Sequence, residues 1–337
     1  MQKIISILLI ASFIILGVSY GCFADDAEDL YNKGIVYYKQ GDFTNAMECF
    51  KESIMEKPNY GVAHYGIGLV YSQGGDYAAA VRHYTHALKN KPVGPESGYT
   101  VAVLWERAKA FDSIMGKELE AADDYREACY TYNHGNSCKV LRQKSEEWEK
   151  QGLSYLDKKG TKNHTQAKAC FSTAIKIDPQ YADPYFNRGR ANAKLNHDDE
   201  AIEDYNKHIE LAFESGGQDA PVYDAYFSIG LIVCKKAKAT GNKQYWVSAE
   251  KVFGLAINNL VRRHESDWPK KTPVYFFRAA EAIYKQGGNK NLRRALRYLH
   301  DGCIWEKKYA RGGDMICCRN ENNLRIKLGL EPTIDWD

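Results

Sequence analysis

The amino-acid sequence predicts an all-α chain built from consecutive helical hairpins. Three observations carry that expectation. At an offset of 34 residues the chain matches itself without a gap: Gly34, Tyr37, Gly41, Asp42, Ala46 and Pro58 recur as Gly68, Tyr71, Gly75, Asp76, Ala80 and Pro92. Phe43 and Phe50 recur in the same register as Tyr77 and Tyr84. No stretch alternates apolar and polar residues with the two-residue period of a half-buried strand.

Each recurring type has a physical reason. Gly34 and Gly68 are small enough for the second helix of a pair to approach closely, and Ala46 and Ala80 do the same from the opposing side. Tyr37, Phe50 and their copies fill the space between helices. Gly41-Asp42 and Gly75-Asp76 suit a turn, since Gly tolerates positive φ and Asp caps the next helix. Pro58 and Pro92 end the second helix. One such hairpin cannot bury its apolar face alone, so neighbours must stack.

The framework continues with looser spacing. Two regular units over about 27–60 and 61–94 are followed by a third over 101–135, with Ala108, Phe111, Ala121, Tyr125 and Ala128 and one extra turn residue near Gly116. A fourth, 145–181, carries Trp148, Gly152, Tyr155, Ala167, Phe171, Ala174 and Pro179, with its turn lengthened across Lys158 to Thr165. The fifth, 182–215, carries Tyr185, Gly189, Ala201 and Tyr205. The sixth, 223–262, carries Tyr226, Gly230, Ala249, Phe253 and Ala256, and its inter-helix segment is expected to be long around Thr240 to Lys243. The seventh, 273–308, is the weakest, with Phe276, Ala280, Ile283, Ala295 and Leu299. Pro184, Pro221 and Pro273 open first helices, where a missing N–H costs nothing. Residues 311–337 hold one amphipathic helix, about Asp314 to Leu328, expected to cap the stack through Ile316, Leu324 and Leu328.

A 34-residue period with this pattern resembles the tetratricopeptide repeat family. The resemblance spans residues 27–310 and implies a right-handed superhelical solenoid over 25–310, of about seven hairpins. It also implies that a partner lies along the first-helix face lining the inside of the superhelix. The fifth repeat position on that face holds Tyr31, Tyr65, Trp105, Glu149, Phe186, Phe227 and Phe277. The thirteenth holds Lys39, Gln73, Ser113, Asp157, Lys194, Lys235 and Lys285. Aromatic rings supply contact area and lysines attract carboxylates, so the row is a candidate peptide-binding surface. The alternative is that the rings pack against the neighbouring repeat. A subtype that clamps acidic C-terminal tails uses Lys and Asn where this chain has Tyr31 and Ile35, so that specificity is not implied.

The first residues read as an export signal. Lys3 precedes an apolar or small run from Ile4 to Val18, followed by Ser19 to Ala24. The run is shorter than a spanning helix. Residues 1–24 are therefore a signal peptide cleaved after Ala24, or Gly21-Cys22 ends a lipobox and Cys22 bears lipid. Either route places the chain outside the cytoplasm, in the periplasm or beyond, soluble or anchored to the envelope. Beyond residue 24 the chain holds 45 basic and 43 acidic side chains, a balance unlike that of a nucleic-acid binder. The charge is unevenly divided: 24 basic against 32 acidic residues over 25–224, and 21 against 11 over 225–337. The basic C-terminal half suggests an anionic partner, such as an acidic protein, lipid or polymer, or else a solvated face.

Export permits disulfides. Cys129 and Cys138 flank one short connection between helices, and Cys303 stands similarly to Cys317 or Cys318. These are the candidate pairs; the alternative is buried free thiols. No phosphate loop, nucleophile elbow or His-Glu-x-x-His pair is present, so no catalytic residue and no cofactor is assigned. His83 and His86 lie three apart on a helix but lack further ligands, so no metal is assigned either. The sequence thus reads as a protein- or peptide-binding scaffold of the bacterial envelope, with self-association open. The alternatives are a component docking its basic half on anionic lipid or polymer, and an enzyme subunit with an unrecognised site.

Overall fold

The computed structural model describes residues 26–91, 97–217, 220–262, 272–309 and 315–330. Among these residues the regular elements are helices: α1 Asp26–Lys39, α2 Phe43–Glu56, α3 Gly61–Gln73, α4 Tyr77–Lys89, α5 Ser97–Asp112, α6 Glu118–Arg126, α7 Gly135–Leu156, α8 Thr161–Ile177, α9 Ala182–Lys194, α10 Asp198–Gly216, α11 Tyr223–Thr240, α12 Lys243–Val261, α13 Thr272–Gln286, α14 Asn289–Tyr309 and α15 Ile316–Lys327. α6 runs on into a π-helical stretch, Glu127–Thr131. The signal segment, with Cys22 and Ala24, lies outside the described residues. The chain divides into two compact units, residues 1–144 and 145–337.

In the N-terminal unit α1 pairs with α2, α3 with α4 and α5 with α6. The turns form as their residues dictate. Gly41 and Gly75 take φ of +80° and +79°, a region where a Cβ is costly. Asp42 and Asp76 then cap α2 and α4, accepting from the N–H of Asn45 at 3.1 Å and of Ala79 at 2.9 Å. Phe50, Tyr84 and Tyr125, from the second helices, are buried to within 2%. The glycines opposite them explain how: a Cβ on Gly34 would stand 2.6 Å from the Phe50 ring, and one on Gly68 2.4 Å from Tyr84. Phe50 also lies against α3, where a Cβ on Gly66 would meet it at 2.7 Å. One ring thus joins a hairpin internally and to the next. Arg107 on α5 adds a polar tie, donating through Nε and Nη2 to the Asp124 carboxylate at 2.8 and 2.6 Å, with Asp124 only 4% exposed.

The C-terminal unit repeats the scheme with α8, α9–α10, α11–α12 and α13–α14. Phe171, Tyr205 and Phe253 are its buried rings. They are set under Gly152, Gly189 and Gly230, where an added Cβ would approach them to 2.5, 2.8 and 2.4 Å. Arg188 and Asp204 reproduce the Arg107–Asp124 tie at 2.6 Å. The helix boundaries differ from the sequence reading in several places; α8, for one, begins at Thr161, inside the turn expected across Lys158 to Thr165. Helix α7 already begins at Gly135, before the repeat boundary near 145. The extra residues of the sixth repeat lengthen α11 and α12 instead of the loop, which shrinks to Gly241-Asn242. Gly241 closes α11 at φ +68°, its N–H bonding to Ala237 O, and Asn242 at once caps α12 by accepting from Gln244 N–H. Two adjacent caps leave no room for a loop.

Helix α15 covers the last hairpin with Leu324, buried among Ala280, Ile283, Ala295 and Leu299. Its N-terminus is capped from α14: the buried Glu306 carboxylate accepts from the N–H groups of Cys317 and Cys318 at 2.8 and 3.0 Å. The sulfurs of Cys129 and Cys138 lie at disulfide distance, 2.09 Å, as do those of Cys303 and Cys318, 1.99 Å. Of the two partners the sequence left open for Cys303, Cys317 and Cys318, it is Cys318 that lies at this distance. Neighbouring residues on a helix point about 100° apart, so with Cys318 facing Cys303, the Cys317 thiol is carried under Gly302 and donates to Pro273 O at 3.1 Å. Burial and the Glu306 carboxylate push its pKa up.

Candidate partner-binding groove

The fifth-position rings are half-buried, and their burial follows a rule. Five of the six lean on the buried ring of their own second helix: Tyr31 on Phe50 at 5.8 Å, Tyr65 on Tyr84 at 5.8 Å, Trp105 on Tyr125 at 5.4 Å, Phe186 on Tyr205 at 5.6 Å and Phe227 on Phe253 at 5.5 Å between centroids. Most touch a second ring at the next connection, as Tyr31 does Tyr60 and Phe227 does Tyr275. The row therefore packs the repeats together and leaves one edge of each ring outward.

Glu149 breaks the aromatic row and remains buried, at 8% exposure. It reaches the same neighbouring repeat by hydrogen bonds: Tyr181 Oη donates to Oε2 at 2.6 Å and Asn187 Nδ2 donates to Oε1 at 2.7 Å. Tyr181 follows α8 as Tyr60 follows α2. Burial holds the Glu149 pKa above its ordinary value, while the two donors pull it down.

In the C-terminal unit α9, α11 and α13 flank a groove of about 430 Å³. Phe186, Phe227, Leu231 and Val274 give it apolar lining, and Arg190 and Asp224 supply charge. Leu231 is 38% exposed. Phe277 instead turns to a smaller cleft of about 210 Å³ between α13, α14 and α15, beside Tyr284 and Leu324. The thirteenth-position lysines are exposed but unequal. Lys235 is committed, donating to Asn196 at 2.9 Å and pairing with Asp198 at 2.9 Å. Lys39, Lys194 and Lys285 are exposed. The row thus contributes Phe186 and Phe227 to one groove, while Tyr31, Tyr65 and Trp105 belong to the other unit.

Sequence reading passed over Arg190 and Leu231. Both occupy the ninth repeat position, four residues after a fifth-position ring, hence one turn along the same helix face. That spacing was the available signal.

The N-terminal unit adds His64 to the pair noted in the sequence. His64 Nδ1 and His83 Nδ1 are 3.2 Å apart, and the His64 ring stacks on His86 at 5.1 Å. The ring centroids of His64 and His83 are 5.4 Å apart, as expected when the two nitrogens point at one another and share a hydrogen. Burial, followed by the neighbouring imidazoles, pulls the His83 pKa down to about 4. Among the described residues no group of three His, Cys, Asp or Glu is arranged to hold a metal ion. None of the described helices is long and apolar enough to cross a membrane.

Stacked helical hairpins, five of them closed by a ring under a first-helix glycine, define a helical-repeat protein. Residues 27–60, 62–93 and 159–217 each match family models of the tetratricopeptide repeat. The chain is a tetratricopeptide repeat protein. Its fold is similar to that of a tetratricopeptide repeat protein from Parabacteroides merdae (14% identity, 90% of this chain and 99% of that one, TM-score 0.30). It is also similar to the TPR2AB domain of yeast Sti1, solved as a pHSP90 complex (19%, 75% and 98%, TM-score 0.32). A third likeness is YrrB, described as a TPR protein with an unusual peptide-binding site (17%, 58% and 91%, TM-score 0.32). No curated protein sequence matches the chain.

Proposed function

We propose that this chain is a protein-interaction scaffold holding an extended partner segment along the first-helix face of its C-terminal unit. The observation that carries the reading is the groove lined by Phe186, Phe227 and the exposed Leu231. Rigid half-buried rings offer apolar contact area with little side-chain entropy left to lose, which suits a binding surface. The role is binding and not catalysis. Export completes the proposal: residues 1–24 direct the chain to a bacterial envelope, with Ala24 cleaved or Cys22 lipidated, which intact mass of the mature protein distinguishes.

A photo-crosslinker at Leu231 tests the groove, with one at the exposed Glu203 on α10 as control. Position 231 is expected to capture a partner in the native envelope that position 203 does not. Leu231→Glu should then lower affinity for that partner at least about tenfold, or ~1.4 kcal/mol, with the circular dichroism spectrum unchanged. Equal capture at both positions sinks the reading.

One observation favours a second contact. Lys290, Arg293, Arg294 and Arg297 share one face of α14 and are all exposed. Arg294 is held by Glu250, leaving the other three for anionic lipid or polymer. Salt-sensitive sedimentation with phosphatidylglycerol vesicles, abolished by reversing these charges, is the expected result.

A further inference from the structure

We propose that the partner segment carries a carboxylate side chain that docks on Arg190, beside an apolar side chain seated against Phe227, Leu231 and Val274. The inference rests on the groove reading and adds the chemistry of what enters it.

The argument begins at the buried end of a polar chain. Glu149 can only accept when ionised, so Tyr181 donates to one of its oxygens and Asn187 must present its NH2 to the other, at 2.7 Å. That fixes the Asn187 amide, whose oxygen then faces away from Glu149. Arg190 Nη1 donates to this oxygen at 2.9 Å. Glu149 and Asn187 are 8% and 7% exposed, whereas Arg190 lines the groove. The guanidinium also lies over the Phe186 ring, 6.0 Å from its centroid. Tyr181, Glu149 and Asn187 are thus positioning residues, and Arg190 is the group they deliver.

A guanidinium carries five N–H donors in a planar fork. One is committed to Asn187. The remainder match a carboxylate, which takes two parallel N–H bonds from such a fork. Lys194, one turn further along α9 and exposed, adds to the positive potential on that helix. Asp224 also lines the groove, and its carboxylate accepts from the Tyr275 hydroxyl. Of the two charged groups in the lining, Arg190 is the one oriented by a buried chain, so an acidic side chain meets a pre-positioned donor. The rest of the lining is largely apolar, which suits a Leu, Ile or Phe of the partner close to its acid.

Displayed random dodecapeptides, panned on the full chain, test this. The enriched peptides are expected to hold Asp or Glu within a few residues of a large apolar residue. A synthetic copy of an enriched peptide should lose at least tenfold in affinity on Asp→Asn, and as much on Arg190→Ala. Arg190→Lys keeps the charge but loses the fork, and should recover only part of the affinity. Glu149→Gln should narrow the preference for Asp over Asn several-fold at unchanged melting temperature, a readout that loss of packing alone would not move. Peptides that depend on Leu231 but lack acids and ignore Arg190 overturn this inference and leave the groove reading standing. Peptides that bind Leu231→Glu equally well, or no enrichment at all, overturn both.

Discussion

The close approach of glycine to ring makes a quantitative prediction. A Cβ on Gly230 would stand 2.4, 2.7 and 2.8 Å from three carbons of the buried Phe253 ring. Carbon atoms prefer roughly 3.5–4.0 Å, so Gly230→Ala demands a shift of about 1 Å by a ring that is itself 0% exposed. Forcing a methyl group into such a core costs about 1–3 kcal/mol. Alanine recovers ~1 kcal/mol of helix propensity over glycine, so the expected net loss is about 0–2 kcal/mol. Gly254, next to Phe253 on α12, is the control, because the nearest atom to its Cβ would be Tyr298 Oη at 3.9 Å. Gly254→Ala should stabilise by about 0.5–1 kcal/mol from propensity alone. Phe253→Leu should cost roughly 1–2 kcal/mol through the cavity. Combined with Gly230→Ala, it should cost less than the sum by at least ~1 kcal/mol, since the clash is removed. Urea midpoints followed by circular dichroism read all four variants. If Gly230→Ala stabilises as Gly254→Ala does, or the double variant is additive, the ring-under-glycine account of these hairpins is wrong.

Three further outcomes follow from buried polar contacts. Asp124→Ala strands the Arg107 guanidinium, which is 18% exposed beside a carboxylate at 5%. It should therefore cost ~3 kcal/mol by urea titration, where a surface pair would cost under about 1 kcal/mol. His83, held down to about 4 against 6.5 in the unfolded chain, binds fewer protons folded than unfolded between those values. Its stabilising contribution is therefore complete above pH 6.5 and lost as pH falls toward 4. Allowing for solvent screening of a half-buried ring, the loss is about 1–2 kcal/mol. His83→Gln should flatten the urea midpoint over that window, and an unchanged slope would refute the assignment. Where the Cys303–Cys318 bond forms, it closes a 15-residue separation, worth roughly 3 kcal/mol by chain entropy. Cys303→Ser should then expose α15 to limited proteolysis, and Cys317→Ser should do so less.

The fold was legible because its determinants are local and repeat. Gly41 and Gly75 announce turns by needing positive φ, and Asp42 and Asp76 announce the helices that follow. Gly34, Gly68, Gly189 and Gly230 mark where a ring approaches, even though that ring lies in the other helix of the pair. What misled was the sixth repeat. Extra residues between two anchor positions look alike in sequence whether they extend a loop or a helix. Two back-to-back caps at Gly241 and Asn242 decide it, and their effect is visible only once the backbone closes. The choice between Cys317 and Cys318 stayed open for a related reason: with two adjacent thiols available, the face set by Glu306 capping the start of α15 selects Cys318.

The groove was legible only in part, because one pattern serves two ends. An aromatic at the fifth position both cements neighbouring repeats and leaves an edge outward, so the row by itself cannot say where a partner lies. Its meaning emerges from the residue that breaks it. Glu149 sits where a ring would otherwise pack, and a buried carboxylate must find donors. It finds them in Tyr181 and Asn187, and the second of these in turn orients Arg190. A substitution that looks like a lapse in an apolar row thereby aims a guanidinium into the next stretch of groove. The lysines read from sequence supply exposed charge, and Lys235 is already spent on Asp198 and Asn196. Specificity in this groove should therefore follow Arg190 and the buried chain behind it, and general electrostatic attraction should follow Lys194 and Lys285.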